Sequence, residues 1–206
     1  MCKQEILHSK LQIKLTSKQI YLLETYLQLA AKIGVEEVTL KKLAAKANVA
    51  LGTVHYHFSG KNLGLVDMAM RYVDQESVRF INYHLDKNAS SSNFKGIDDY
   101  IMTLFDWAKQ FPHHSQFYLF FYYHSSVHRQ YAELNKKYIQ LMKKRITELL
   151  EVKSIKNTES LAEEIHSQVY GTLILCSIDS RPNRIEYYQS LAIRSANHLV
   201  NFHQQN

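Results

Sequence analysis

The feature that most restricts the fold is an asparagine, Asn48, set between two short helical patterns. Leu43, Ala47, Val49 and Val54 have the spacing that supplies apolar contacts between two short helices crossing at a steep angle. Ala44 falls where those helices press closest, a place that demands a small side chain. Asn48 occupies the turn, where the backbone must enter the left-handed region; after glycine, asparagine does this at little cost. Thr39 stands just ahead as the N-cap of the first of the two helices. This is the pattern of a helix-turn-helix. The same spacing also describes a helical corner that binds nothing, so the charges around it matter.

Those charges are positive and unevenly placed. Residues 1–61 hold nine Lys and four Glu, a net of +5, whereas 62–206 hold sixteen Lys plus Arg and fifteen acids, a net of +1. Lys41, Lys42 and Lys46 crowd the first of the two short helices. An excess of this kind suits a polyanion, either nucleic acid or an anionic membrane surface, or is simply a basic surface. Only 6 glycines and 2 prolines occur, too few for the turns that hairpins and sandwiches need, which favours helices. The two cysteines, Cys2 and Cys176, are unsuited to a structural disulfide, which agrees with a reducing cytoplasm. No signal peptide is expected at the N-terminus, and no stretch approaches the ~20 apolar residues of a spanning helix.

The rest of the chain reads as helix. Thr16 and Gln19 have capping-box spacing, after which Ile20, Leu23, Leu27, Ala30 and Ala31 recur at helical intervals up to a left-handed stop at Gly34. Short helices over about 40–47 and 51–58 follow, then a break at Ser59 and Gly60 and a long helix over about 61–85. A serine-rich loop at 90–93 leads to helices over about 95–110, ended by Pro112, and about 115–123. Three more cover about 127–151, 158–178 and 183–202, the last two separated by Arg181 and Pro182. The expected fold is therefore all-α with about nine helices. A helix-turn-helix DNA-binding domain over 1–61 would be followed by a helical effector-binding and dimerisation domain over 62–206.

The segment 29–61 resembles the N-terminal domain of the tetracycline-repressor (TetR) family. Its residues are the pair Ala30 and Ala31, Gly34, Thr39, Leu43, Ala44, Ala47, Val49, Gly52, Thr53, Val54, Tyr56, His57, Phe58 and Lys61. Beyond Lys61 the likeness is one of length and helical layout. Several positions depart from the family pattern. Asn48 stands where Gly is usual, Ala50 where Ser is usual, His55 for the first Tyr of a Tyr-Tyr-His-Phe run, and Gly64 for a Leu. Loss of a side-chain cap at Ala50 would cost about 0.5–2 kcal/mol of local stability.

On the third helix Leu51, Val54 and Phe58 are expected to face the small core, leaving Gly52, Thr53, His55, Tyr56 and His57 outward. A major groove admits one such helix, whose N-terminal half reaches base edges. Thr53 suits a thymine methyl, His55 a purine acceptor, and Gly52 a close backbone approach. The resemblance implies phosphate contacts from Thr39, Tyr56, His57 and Lys61; the expected DNA-binding set also includes Lys41, Ala50 and Leu51.

Ten of the chain's 24 aromatic residues lie between Tyr100 and Tyr123. Trp107, Phe111, Phe117, Tyr118, Phe121 and Tyr122 are the candidates to line a cavity for a small apolar or planar ligand, the alternative being a packed aromatic core. The resemblance points to an effector there, of unknown identity. It also implies a homodimer built on the last two helices. One apolar stripe holds Leu161, Ile165, Val169 and Leu173; the other holds Ile185, Tyr188, Leu191, Ala192, Ala196, Leu199 and Phe202. The implied protein is a cytoplasmic homodimeric repressor that binds a palindromic operator in double-stranded DNA and is released by its effector. An activator, or an all-helical small-molecule-binding protein without such release, is the alternative.

No enzyme motif, cofactor motif or membrane segment is found. His124 and His128, four apart on one expected helix, have metal-ligand spacing, but no Glu completes a His-Glu-x-x-His motif, so no metal site is expected.

Overall fold

The computed structural model of the chain describes residues 13–58, 64–89, 96–151, 155 and 157–205. Among the described residues there are nine α-helices, one short 3-10 turn and no strand. They are α1 (Ser17–Ile33), α2 (Leu40–Lys46), α3 (Leu51–Phe58), α4 (Leu65–Ala89) and α5 (Ile97–Gln110). The others are α6 (Pro112–Val127), α7 (Arg129–Glu151), α8 (Thr158–Ile178) and α9 (Arg184–Gln205), with the 3-10 turn at Val35–Glu37.

The start of α1 follows from its cap. The Gln19 amide donates to Thr16 Oγ1 at 3.2 Å while the Thr16 amide donates to Gln19 Oε1 at 3.0 Å, so two of the free donors of the first turn are satisfied. Gly34 closes the helix at φ 88°, its N–H bonded to the Ala30 carbonyl at 2.9 Å. The buried face of α1 is turned from the one expected. Leu22, Leu23, Tyr26, Leu27 and Ala30 are buried, whereas Ile20 is 38% exposed and Ala31 is also on the surface. Tyr26 shifts the stripe: its ring meets Phe117 edge-on at 5.8 Å, an apolar role that its hydroxyl conceals in the sequence.

Two further helix limits differ from expectation. Pro112 does not merely stop α5; it opens α6 directly, a position where its missing N–H is no loss and its fixed φ is already helical. α6 then continues to Val127, past Tyr123. His128 lies at the break before α7, so His124 and His128 do not share a helix. α4 reaches Ala89 rather than residue 85, while its expected start at Lys61, the break at Ser59 and Gly60, and the loop at 90–93 lie outside the described residues.

The chain divides into two compact units, one of residues 1–78 and 112–127, the other of 79–111 and 128–206. In the first, α1 packs against α2, α3 packs on α2, and α6 lies against α1. Leu22, Leu23, Leu27, Leu43 and Val54, all at 0% exposure, are the centre of its core. In the second, α8 is packed by α7 and α9, and α9 also by α5. Tyr138, Ile146, Leu161, Ile165, Val169, Ala192 and Ala196 are fully enclosed there. α4 is one unbroken helix whose residues up to Val78 belong to the first unit and from Arg79 to the second.

Candidate nucleic-acid interface

The turn between α2 and α3 is fixed at both ends. Thr39 caps α2 by accepting from the Lys42 amide at 3.2 Å. After Lys46 the chain tightens, with the Asn48 amide bonded to the Ala45 carbonyl at 3.2 Å and the Val49 amide to the Ala44 carbonyl at 3.0 Å. Asn48 takes φ 51°, the left-handed conformation its position requires. Leu43, Ala44 and Ala47 on one side, and Val54 and Phe58 on the other, are all buried, which sets the crossing of the two helices.

Two supports escaped the sequence reading. The Tyr21 hydroxyl donates to the Ala47 carbonyl at 3.1 Å, tying α1 to the turn. Lys42 donates from Nζ to the Glu37 carbonyl at 2.8 Å and lies 3.4 Å from Glu37 Oε2, so this lysine is engaged by its own domain. Neither pairing has a sequence signal, since a tyrosine on the polar side of a helix and a lysine in a basic cluster look like ordinary surface residues. Lys41 and Lys46 remain exposed, and no ion pair engages them among the described residues.

The face of α3 away from this core carries most of the expected DNA-binding residues. Gly52 and His55 are exposed, Thr53 and His57 are half-buried, and Tyr56 is 80% exposed with its ring edge-on to His57 at 5.1 Å. A Cβ at Gly52 would meet nothing within 4 Å, so the backbone there is open to close approach. Leu51 departs from expectation: at 41% exposure it flanks the outward face instead of completing the core. Ala50 is exposed at the head of α3, where its carbonyl accepts from the Thr53 amide at 2.9 Å and no side-chain oxygen is available to cap. Thr39 and Lys41 are exposed on α2, and Lys61 lies outside the described residues. The arrangement presents a helix with small, hydroxyl, imidazole and phenol groups outward and unpaired lysines beside it, as major-groove insertion requires.

A hydrogen-bonded cluster joins α1 to the rest of its unit. The Glu24 carboxylate on α1 accepts from the Tyr72 hydroxyl on α4 and lies 3.0 Å from Nε2 of buried His114 on α6. Burial works to raise the Glu24 carboxyl, but the hydrogen bonds of His114 and Tyr72 and the charges of His114 and His113 hold it below its ordinary value.

The expected effector residues are divided between the two units. On α6, Phe117, Tyr118 and Phe121 are buried and Tyr122 is half-buried, with the Tyr118 and Tyr122 rings 5.3 Å apart. Trp107, 3% exposed on α5, and Phe111, half-buried at the end of that helix, belong to the second unit. Of the expected pairing residues, Leu161, Ile165, Val169 and Ala192 have 0% exposure and Leu173 has 9%, so they pack within their own chain. Ile185, Tyr188, Leu191 and Leu199 are half-buried and Phe202 is 59% exposed. Ile174 (45%), Leu175 (49%) and Ile178 (75%) add an exposed apolar face to α8.

Among the described residues no group of three or more His, Cys, Asp or Glu side chains is placed to hold a metal ion, and no helix is long and apolar enough to cross a membrane. His124 instead stacks on Phe120 at 4.9 Å.

Residues 22–62 match the family model described as bacterial regulatory proteins, tetR family. No curated protein matches the chain. Among solved structures, a transcriptional regulator from Rhodococcus sp. Rha1 is similar at TM-score 0.72 and 16% identity, over 92% of this chain and 97% of that one. A TetR transcriptional regulator from Legionella pneumophila is similar at TM-score 0.64 and 18% identity, over 89% and 99%. The fatty acid degradation regulator FadR from Bacillus halodurans is similar at TM-score 0.63 and 15% identity, over 91% and 97%. At these identities the likeness is one of fold.

Proposed function

We propose that this chain, which carries the tetR-family N-terminal domain on the fold of those regulators, is a homodimeric repressor. It binds a palindromic operator and is released by a small apolar or aromatic effector. The observation that carries this reading is the outward face of α3, where Gly52, Thr53, His55 and Tyr56 stand clear of a core completed by Val54 and Phe58.

In this reading α3 enters the major groove. Thr53 and His55 meet base edges, while Tyr56, His57, Thr39 and Lys41 hold phosphates and so set the register. Two copies pair through α8 and α9, where Ile174, Leu175, Ile178, Tyr188, Leu191, Leu199 and Phe202 keep surface for a partner. Pairing would set the two α3 helices about 34–36 Å apart, one turn of the duplex.

The aromatic helix α6 supplies the effector side through Phe117, Tyr118, Phe121 and Tyr122. Two features support coupling between effector and DNA. α4 is shared by both units, and Glu24 of α1 is bonded to α4 and α6 at once. An effector that favours a spacing unsuited to DNA must lower DNA affinity, and DNA must lower effector affinity by the same factor.

Selection from a pool of randomised duplexes tests the reading. It should return a palindrome bound by two chains. A single half-site bound by one chain, or no enrichment at all, would sink it.

A further inference from the structure

α4 carries a carboxyl whose Oδ1 nothing among the described residues satisfies. Asp74 is 2% exposed, and its Oδ1 has no hydrogen-bond partner. Arg71, on the same helix, is the charge that acts on it, yet among the described residues no hydrogen bond or ion pair joins the two. From α6 the Tyr122 hydroxyl is near enough to be affected by the Asp74 charge, and Tyr122 in turn lies 5.3 Å from Tyr118, ring to ring.

Folded chains keep few such groups, because a buried polar atom without a partner has lost water and gained nothing. Among the described residues Asp74 caps no helix and pairs with no cation, so they give no reason for a carboxyl at this point. A ligand would. Arg71 is half-buried, and its Nε is likewise buried without a hydrogen-bond partner among the described residues. The character of the ligand follows from the groups around it. A carboxylate next to two phenol rings suits a cation, which the carboxylate pairs and the ring faces attract. Once ionised, Asp74 would repel an anionic ligand.

We propose that Asp74, with Tyr118 and Tyr122, forms the polar end of the effector site, and that its ligand is an apolar or aromatic molecule bearing one protonated nitrogen. This rests on the effector reading above and narrows it to a chemical class. Because burial raises the Asp74 carboxyl to about 8, it is protonated in the empty protein at neutral pH. Binding then proceeds by loss of that proton to solvent and pairing of the carboxylate with the ligand's ammonium group, so one positive charge enters and one proton leaves. The groups sharing this environment are Arg71 on α4 and Tyr118 and Tyr122 on α6, and burial also holds the Tyr122 hydroxyl above its ordinary range.

Calorimetric titration of the full chain with three naphthalene probes of equal size tests this: naphthylmethylammonium, naphthylmethanol and naphthoate. The ammonium should bind at least about tenfold more tightly than the alcohol, with naphthoate weakest. Its affinity should rise several-fold from about pH 6.5 to about pH 8, with proton release visible as buffer-dependent heat. Asp74→Asn should bring the ammonium down to the affinity of the alcohol. Equal binding of ammonium and alcohol, or naphthoate binding best, overturns the inference while leaving an effector site in place. Failure of all three to bind overturns it too, and the repressor reading is then judged separately by operator selection. Should the variant not fold, the ranking of the three probes on the unaltered chain still decides.

Discussion

Asp74→Asn should change how the chain's stability depends on pH, in a direction fixed by burial. Burial raises the carboxyl from 3.8 to about 8, against the lowering influence of Arg71. In the unfolded chain the same group ionises near about 3.9. Between those values the folded chain holds a proton that the unfolded chain has lost, so ionising Asp74 opposes folding. Its contribution is therefore fully present below about pH 4 and is lost as pH rises through about 8. A gap of about four units at about 1.4 kcal/mol each gives an upper limit of about 6 kcal/mol. Relaxation and water entry around a buried charge bring this to the order of 2–4 kcal/mol. Asn has the same shape and cannot ionise, so the variant lacks this loss. Urea unfolding of both proteins from about pH 5 to about pH 9 should show the variant gaining on the parent by at least about 2 kcal/mol across the range. Parallel curves would refute the reasoning, because they would mean that Asp74 is solvated or paired in the folded chain.

Two further perturbations test other parts of the structure. His166 on α8 is buried, and burial, helped by the Lys143 charge, lowers it to about 4; its contribution to stability should thus be lost as pH falls from about 6.5 through about 4. His166→Gln should flatten that acid limb in a thermal-melting series, and an unchanged limb would contradict the assignment. Asn48, at φ 51°, should tolerate Gly within about 0.5 kcal/mol but lose about 1–2 kcal/mol as Ala, and equal effects of the two in urea unfolding would show that the left-handed turn is not what holds the motif.

The sequence reading was most accurate where one residue type answers one local demand. Thr16 with Gln19, Gly34, Thr39 and Asn48 each meet a backbone requirement within a few residues, and each occupies the predicted place. It was less accurate where tertiary packing decides. Tyr26 displaced Ile20 from the buried face of α1 because Phe117, about ninety residues away, supplies its partner. Leu51 is 41% exposed, and the buried residues of α3 are Val54 and Phe58, a choice between apolar positions that the short helix's periodicity does not make. The long-range pairs Tyr21 with Ala47 and Glu24 with His114 left no periodic trace at all. Asp74 was hidden for the same reason, since an aspartate in an amphipathic helix is ordinarily on its wet side.

The central claim, that α3 reads DNA, is tested most directly by titrating the folded chain and Tyr56→Ala against a selected palindromic duplex and a scrambled one. Both should be measured at about 50 mM and about 200 mM salt. The account predicts tight binding to the palindrome alone, weakened by salt, and a loss of at least about tenfold in the variant. The melting temperature should stay unchanged, because Tyr56 is 80% exposed. No binding by the folded parent at the lower salt, or an affinity indifferent to Tyr56, would contradict it.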